Sequence, residues 1–564
     1  MEPSREKGKI SMKRLLSALT ALTLILTLAL PTASAYSDIP ASGTLSEEVW
    51  KAVDYGLMNG YSPSTFGYGD SMTRAQFLTV VGRMMGWFDD AQTAEAQITP
   101  AMQVPQNIST TYWTAISDAV KYQVVDDDIP FRPNAAVTRG EMAEILVRAL
   151  GLRGAASIAE KEMSLPFSDV ASGKGYVAIA YAIGMTNGTS ATTFSPNAAA
   201  TRAQAAAMLV RIYEKMEASS GFVHGFYALS SYSQLSYASR MNAVSAGWSR
   251  MTWDGTTALL STTSANSNEY YVPTGYSEVT DYMQSNGVKL HLSVFMDAAG
   301  GVRELLASAD GRTQAVEQIV NELTVEYQSI GRNPYSGVTI DFEGLRGAQK
   351  ADFTAFLQEL SAQLDKLNKS LYVCVAPVLT GGAYYDGYDY RAIGDLADKV
   401  ILMAYDFEAR DASIYLGSNV ANSSGFAEST RNAPAGQVFW SLLAITDEST
   451  GVRNPEKVLL GISSKNVAWK VDENGCLLSA QPVYLSNDTA HSYLSQAVSG
   501  AAGSVVAEDY FITAGEDGTR YFLWREDPMQ NLRSAKLLGI TGVSLWRLGT
   551  LPMYSDWSWS DLLR

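Results

Sequence analysis

Apolar residues fall into two regimes along the chain. Before residue 217 they recur at helical spacing in three segments: Phe77, Val80, Val81 and Met84; Met142, Ile145, Leu146 and Ala149; Ala205, Met208, Leu209 and Ile212. Positions three, four and seven apart share one face of a helix, so each segment predicts an amphipathic helix. After residue 222 the apolar positions form short runs, at 223–228, 243–251, 289–295, 337–342, 371–377, 399–405, 457–463 and 542–546. Such runs predict strands buried on both faces. Helical patterns lie between several of them, at 313–330, 349–367 and 390–396. Strands alternating with helices predict a parallel α/β architecture, and eight is the strand count of a closed (β/α)8 barrel. The expectation is therefore multidomain: an all-α front module, a linker at 217–222, and an α/β barrel over 223–564.

The first 35 residues follow another pattern. Lys7, Lys9, Lys13 and Arg14 precede the apolar run 15–30, and Ala33-Ser34-Ala35 follows it. A basic, then apolar, then small-residue order predicts a secretory signal peptide at 1–35, with Met12 as an alternative start. No later stretch reaches the ~18 apolar residues that span a bilayer. The 564 residues carry 42 basic and 58 acidic side chains, a formal charge of −16. Without the leader, 37 basic residues face 56 acidic ones. An acidic chain argues against nucleic acid as a partner. Three His and two Cys leave little for a His/Cys metal site, and no cofactor is expected. Cys374, inside an apolar run, reads as a buried free thiol in preference to a disulfide with Cys476.

Thr73-Arg-Ala-Gln76, Thr138-Arg-Gly-Glu141 and Thr201-Arg-Ala-Gln204 recur at intervals of 65 and 63 residues. Each reads as a capping box opening its helix. That explains Thr and Gln/Glu, but not the constant Arg. An Arg at the first helical position points to solvent, either as an ordinary surface residue or as a contact for anions. Asn59-Gly-Tyr61 with Phe66, Phe131-Arg-Pro133, and Asn187-Gly188 with Phe194-Ser-Pro196 precede the motifs, and Ser37-Asp-Ile39 and Phe167-Ser-Asp-Val170 stand further upstream. In these features residues 36–216 resemble three S-layer homology repeats, at 36–93, 94–153 and 164–216. The resemblance implies a pseudo-threefold helical module that anchors to a secondary polymer of a bacterial cell wall, with Arg74, Arg139 and Arg202 as polymer contacts. The second unit departs from the pattern: it lacks the Ser-Asp start and carries Val124-Val-Asp-Asp-Asp128 in place of Asn-Gly-Tyr.

In the run Gly337-Val-Thr-Ile-Asp-Phe-Glu343, strand alternation puts Thr339, Asp341 and Glu343 on one face. Asp341 and Glu343 then lie ~6.6 Å apart along the strand. Two such carboxylates in a partly buried site raise one another, and one can act as a general acid near neutral pH. An ion pair or a divalent-cation site is the alternative for a bare Asp-x-Glu. Context adds Met403-Ala-Tyr405-Asp406, Trp546, and Trp248 and Trp253 of the second run, aromatic faces beside carboxylates as a sugar-cleaving cleft requires.

This set resembles glycoside hydrolase family 18. Asp341-Phe-Glu343 matches the end of Asp-Gly-x-Asp-x-Asp-x-Glu, Met403-Ala-Tyr-Asp406 matches Met-x-Tyr-Asp, and Trp546 matches the Trp of strand eight. Trp524-Arg-Glu-Asp527 and Trp546-Arg-Leu-Gly549 are similar to the spore-cortex and wall-associated branch. Ser336 and Thr339 replace the first two Asp of the signature. The resemblance implies a TIM barrel and substrate-assisted, retaining hydrolysis of an N-acetylglucosamine-containing glycan, peptidoglycan or chitin-like, at the cell surface. It assigns Glu343 as acid, with Asp341, Tyr405 and Asp406 around the acetamide, and Trp546, Trp248 and Tyr227 against the sugar. The alternative is a lectin-like surface protein without turnover. No Gly-x-Ser-x-Gly accompanies His224 and His291, which read as core or rim residues. Asp126-Asp-Asp128 reads as a solvated turn, without the pattern of a Ca²⁺ loop.

Overall fold

The computed structural model describes residues 36–89, 98–380, 386–423, 425–507, 509–554 and 558–563. The leader at 1–35 lies outside them. Helices Arg74–Met84, Arg139–Ala149 and Arg202–Met216 start at the three motifs, each with a complete capping box from its Thr and Gln or Glu. The backbone before these helices joins the repeats in a ring. Bridges link Thr73 to Ala136, Thr138 to Ala199 and Ser71 to Thr201. The Arg74, Arg139 and Arg202 N–H groups donate to the carbonyls of Ala135, Ala198 and Asp70. The first repeat leans on the second, the second on the third, and the third on the first. The module is thus helices around a small hub of β-bridges, and the expectation of a purely helical unit is corrected on that point.

The arginines are part of this ring. Arg139 Nε donates to Phe194 O at 2.9 Å and its Nη2 to Asn187 O at 2.8 Å. Arg202 repeats the clamp on Phe66 O and Asn59 O, at 2.9 and 2.6 Å. Their guanidinium groups lie over the Phe194 and Phe66 rings. Both side chains are buried, so the expectation that they point to solvent is overturned for Arg139 and Arg202. A guanidinium offers five donors in a planar fork, and here it satisfies the carbonyls of a neighbouring turn. The second repeat has no Asn-Gly turn to clamp, and Arg74 pairs with Glu141 instead. The Ser-Asp starts brace the same turns: Asp38 accepts from the N–H groups of Phe66, Gly67 and Tyr68, and Asp169 from those of Phe194 and Ser195. Asp126 pairs with Arg148 at 2.9 Å.

The rest of the chain is built on eight parallel strands: β1 Val223–Tyr227, β2 Ala243–Trp253, β3 Lys289–Met296, β4 Gly337–Phe342, β5 Ser370–Val375, β6 Lys399–Leu402, β7 Val458–Ser463 and β8 Gly542–Trp546. β8 pairs with β1 through Val223–Val543 and His224–Ser544, which closes the barrel. Alternate residues divide between two cores. Val244, Leu292, Ile340, Val373 and Val543 face the helices, while Phe226, Tyr372, Cys374, Ile401 and Leu459 fill the interior. The helix expected over 313–330 is Ala309–Thr324. It stops because the Asn333 amide donates to the Glu322 and Val325 carbonyls and turns the chain back. Cys374 is buried and neither cysteine is in a disulfide. No helix among the described residues is long and apolar enough to cross a membrane.

A five-stranded antiparallel sheet stands between β7 and β8, from strands Asn466–Val471, Val483–Leu485, Val505–Val506, Tyr510–Ala514 and Arg520–Trp524. The sequence reading did not include it. Asn474-Gly475 and Asp517-Gly518 are turn signals within this span, and both glycines take positive φ there.

Candidate functional site

Every interior side chain near the C-terminal strand ends faces the mouth of the barrel. β4 brings Asp341 to the floor of that mouth, where it is buried, and the chain continues to Glu343, which is open to solvent. The Glu343 N–H donates to Met296 O at 2.8 Å, tying it to β3. β4 and β5 pair Thr339 with Tyr372 and Ile340 with Val373. Asp341 therefore stands beside Cys374, whose thiol donates to its carboxylate. Asp341 Oδ1 is buried and has no protein partner.

Beneath Asp341 the interior is polar and uncharged. Thr339 Oγ1 lies 2.6 Å from Ser245 Oγ and 3.4 Å from His291 Nδ1. Ser245 continues to His224 Nε2 at 2.8 Å, and His224 Nδ1 to Ser544 Oγ at 2.8 Å. His291 Nε2 reaches Ser370 Oγ at 2.8 Å. Burial pushes both imidazoles down to about 3, so both are neutral at physiological pH. This belt from six strands occupies the level where the family signature has its middle Asp. Both histidines are satisfied core residues.

The electrostatics above the belt favour a protonated acid. Burial raises Asp341. Glu343 is raised further, by desolvation first and then by the Asp341, Asp406 and Asp297 carboxylates. One charge in the pair disfavours the second, so the pair retains a proton above the ordinary carboxylate range.

Tyr405 and Asp406 lie just past β6. Tyr405 is partly buried and Asp406 is exposed, with left-handed φ of +62°. Asn432 fixes that bend: its Oδ1 accepts from the Asp406 N–H at 3.2 Å and its carbonyl accepts from Phe407 N–H at 3.0 Å. Glu526 accepts from the Asn432 N–H at 3.0 Å, and so the Trp-Arg-Glu-Asp segment supports the mouth from the inserted sheet. Lys465 Nζ bridges Asp406 Oδ1 at 2.9 Å and Glu408 Oε1 at 2.6 Å. Gly461 on β7 makes room for the Tyr405 ring: a Cβ there would sit 2.9 Å from Tyr405 Cε1 and 2.6 Å from Leu402 O.

Of the three aromatic residues expected against the sugar, one lies open at the strand ends. Trp546 is 39% exposed at the end of β8 and rests on the edge of Phe226. Trp248 and Tyr227 are corrected. Both are fully buried, packed edge to face on each other in the core between barrel and helices. Strand parity is the reason, since His224 faces inward and Tyr227, three residues on, must face out. The mouth has another aromatic wall that the sequence reading missed. Tyr270 and Phe295 stack at 4.9 Å and 13°, with the Arg250 guanidinium over both and paired to Asp297 at 2.8 Å. Tyr270 feels the Asp341 and Glu343 charges, so this wall borders the acid. Among the described residues no group of three or more His, Cys, Asp or Glu is arranged to hold a metal ion.

Comparison with known proteins identifies the family. The family description "Glycosyl hydrolases family 18" matches residues 201–549, and "S-layer homology domain" matches 35–78, 108–143 and 166–206. A cortical fragment-lytic enzyme of Bacillus anthracis is 22% identical over 240 residues, 39% of this chain and 47% of that protein. A surface-layer 125 kDa protein of Lysinibacillus sphaericus is 29% identical over 186 residues, 31% of this chain and 15% of that one. The chain spans less than half the length of the curated relatives it matches. The solved spore cortex-lytic enzyme SleL of Bacillus megaterium QM B1551 is similar at 18% identity with a TM-score of 0.43, covering 61% of this chain and 73% of that one. The chain belongs to the glycosyl hydrolases of family 18, with three S-layer homology repeats ahead of its catalytic barrel.

Proposed function

We propose that this cell-surface glycosidase cleaves N-acetylglucosamine-containing glycan of the bacterial wall by substrate-assisted, retaining hydrolysis. The observation that carries the reading is the buried, unpartnered Oδ1 of Asp341 beside a Glu343 that holds its proton. That oxygen is an acceptor awaiting a donor, and the N–H of a sugar acetamide supplies one. Glu343 gives its proton to the glycosidic oxygen as the C1–O bond breaks. The acetamide carbonyl oxygen bonds to C1, and Asp341 stabilises the resulting oxazolinium ion through its N–H. Water then attacks C1 as the bond from C1 to the acetamide oxygen breaks and reopens the ring, and water's proton passes to Glu343, which restores the acid. Retention without a carboxylate nucleophile is a recognised exception to the two-carboxylate scheme. The arrangement is consistent with it, because Asp406 is engaged by Lys465. Tyr405 donates to the acetamide carbonyl, Asp406 holds the distorted ring, and Trp546 floors it.

Wall glycan is the substrate favoured by the anchor. In this reading the N-terminal ends of the three repeat helices meet the wall polymer. Arg74 takes part directly, while Arg139 and Arg202 act by holding the turns that form the surface. The test is reducing-end release from purified peptidoglycan and from chitin oligosaccharides, with Glu343→Gln beside the wild type. Loss of at least ~10²-fold in kcat in the variant is expected from removing a general acid. Wild-type protein that leaves both substrates intact, as the variant does, defeats the proposal.

A further inference from the structure

We infer that the repeat module is docked on the barrel as one rigid unit, and that this contact sets the direction of the catalytic mouth relative to the anchoring surface. The helix Ala435–Ile445 carries the first observation. It is apolar apart from Gln437 and Ser441, and none of its residues is exposed. Val438, Leu442 and Ile445 belong to the barrel core, while Phe439 lies fully buried in the core of the repeat module and Leu443 packs against that core. A helix this apolar requires cover beyond its barrel-facing side, and the module supplies it.

The crossing is built for close approach. Helix Arg153–Glu162 meets Ala435–Ile445 at two glycines. A Cβ on Gly154 would lie 3.4 Å from Gly436 Cα and 2.1 Å from Glu428 Oε1. A Cβ on Gly436 would lie 2.8 Å from Gly154 C and 3.0 Å from Ala155 N, both backbone atoms. Ala155, Ala156 and Ala159 keep the facing helix slim and are buried. Polar contacts flank the crossing. Lys215 Nζ donates to Leu537 O at 2.9 Å, Lys536 Nζ to Met216 O at 3.4 Å, and Gln530 Nε2 to Gly151 O at 3.3 Å. The linker is itself held, with Gly221 N–H donating to Thr541 O at 3.1 Å.

The polarity of the module gives this contact a consequence. Met84–Trp87, Leu150–Gly151 and Met216–Glu217, at or just beyond the C-terminal ends of the three motif helices, face the barrel side and line a cavity of about 1080 Å³ there. Arg74, Arg139 and Arg202 stand at the opposite ends. Helices of 11, 11 and 15 residues set those ends about 16 to 22 Å apart. The anchoring face therefore points away from the barrel, and cleavage is confined to glycan at one orientation from the anchor point. Only this consequence rests on the anchoring role.

The test uses the full mature chain with Gly154→Leu and, from the other side, Gly436→Leu. The readouts are calorimetry, small-angle X-ray scattering and limited proteolysis of the 217–222 linker. The wild type is expected to unfold in one transition, with a compact envelope and a resistant linker. Each variant is expected to show two transitions, an enlarged radius of gyration and linker cleavage at least about tenfold faster, equivalent to about 1.4 kcal/mol of opening free energy. Hydrolysis of soluble oligosaccharide by the variants reports that the barrel remains folded. Two transitions in the wild type, with a linker cut as fast as in the variants, overturn the inference whether or not the protein cleaves glycan.

Discussion

Lys465→Met isolates the electrostatics of the mouth. Lys465 is the cation shared by Asp406 and Glu408, and the two partners differ in exposure. The Asp406 side chain is 55% exposed, whereas that of Glu408 is 3% exposed. Losing the Asp406 pair costs at most about 1 kcal/mol, because water takes over. Glu408 has no such recourse. Its Oε2 is buried without a partner, and Tyr484 OH, at 3.2 Å from Oε1, is the remaining donor. The methionine keeps the apolar stem, so the loss is one of charge. A buried carboxylate without its cation either stays ionised, at about 3–5 kcal/mol, or takes up a proton. Protonation sets the ceiling. An unfolded-chain glutamate titrates at about 4.3, so holding it neutral costs about 3.7 kcal/mol at pH 7 and about 1 kcal/mol at pH 5. The sign follows from linkage. The folded variant binds a proton that the unfolded chain has released, so the destabilisation grows as pH rises above 4.3. Urea unfolding should show a loss of about 3–4 kcal/mol at pH 7, shrinking to about 1 kcal/mol at pH 5. Glu408→Gln in the same chain should restore most of it. An equal loss at both pH values, or a double variant as unstable as the single one, would refute the reasoning.

Three further outcomes follow from the site. Asp297→Asn removes one of the carboxylates that raise Glu343 and frees Arg250 to lower it further; the basic limb of the kcat/KM profile should move to lower pH, and an unmoved or raised limb contradicts the assignment of Glu343 as acid. Gly461→Ala places a methyl group against Leu402 O and the Tyr405 ring; overpacking of about 1–3 kcal/mol should appear in urea unfolding, together with a lower kcat because Tyr405 is displaced. Trp546→Ala removes an exposed stacking face, worth about 0.5–1.5 kcal/mol; KM for oligosaccharide should rise about 2- to 12-fold, measured by initial rates.

The barrel was legible because its strands are buried on both faces, which writes each one as a continuous apolar run. The same burial hid which side chains reach the mouth. Tyr227 and Trp248 look like sugar platforms by type, and parity alone sends them outward. Counting from inward His224 and Ser245 would have shown this. The repeat arginines were ambiguous for a different reason: a helix N-terminus that can bind an anion can equally lie beside a neighbour's carbonyls, and only ring closure between repeats decides. Lys465 and Asn432 left no local signal, since they act on residues 59 and 26 positions away, and the Trp-Arg-Glu-Asp motif marked Glu526 without showing that it acts 94 positions away.

Thr339 shows how a departure from a family pattern becomes readable once the sheet is closed. Taken alone it is a missing carboxylate. In the barrel it is one member of a belt in which Ser245, His224, Ser544, His291 and Ser370 are matched as neutral donors and acceptors. An Asp at 339 would set an anion between Ser245 and the neutral His291, with no cation among the belt's members, and a buried charge in that position is costly. Thr339 is therefore compatible with its surroundings, and Asp341 is left with Cys374 as its neighbour donor. The unpaired oxygen of Asp341 then sits over an uncharged floor, and in the proposed mechanism it is the acetamide N–H that pairs with it.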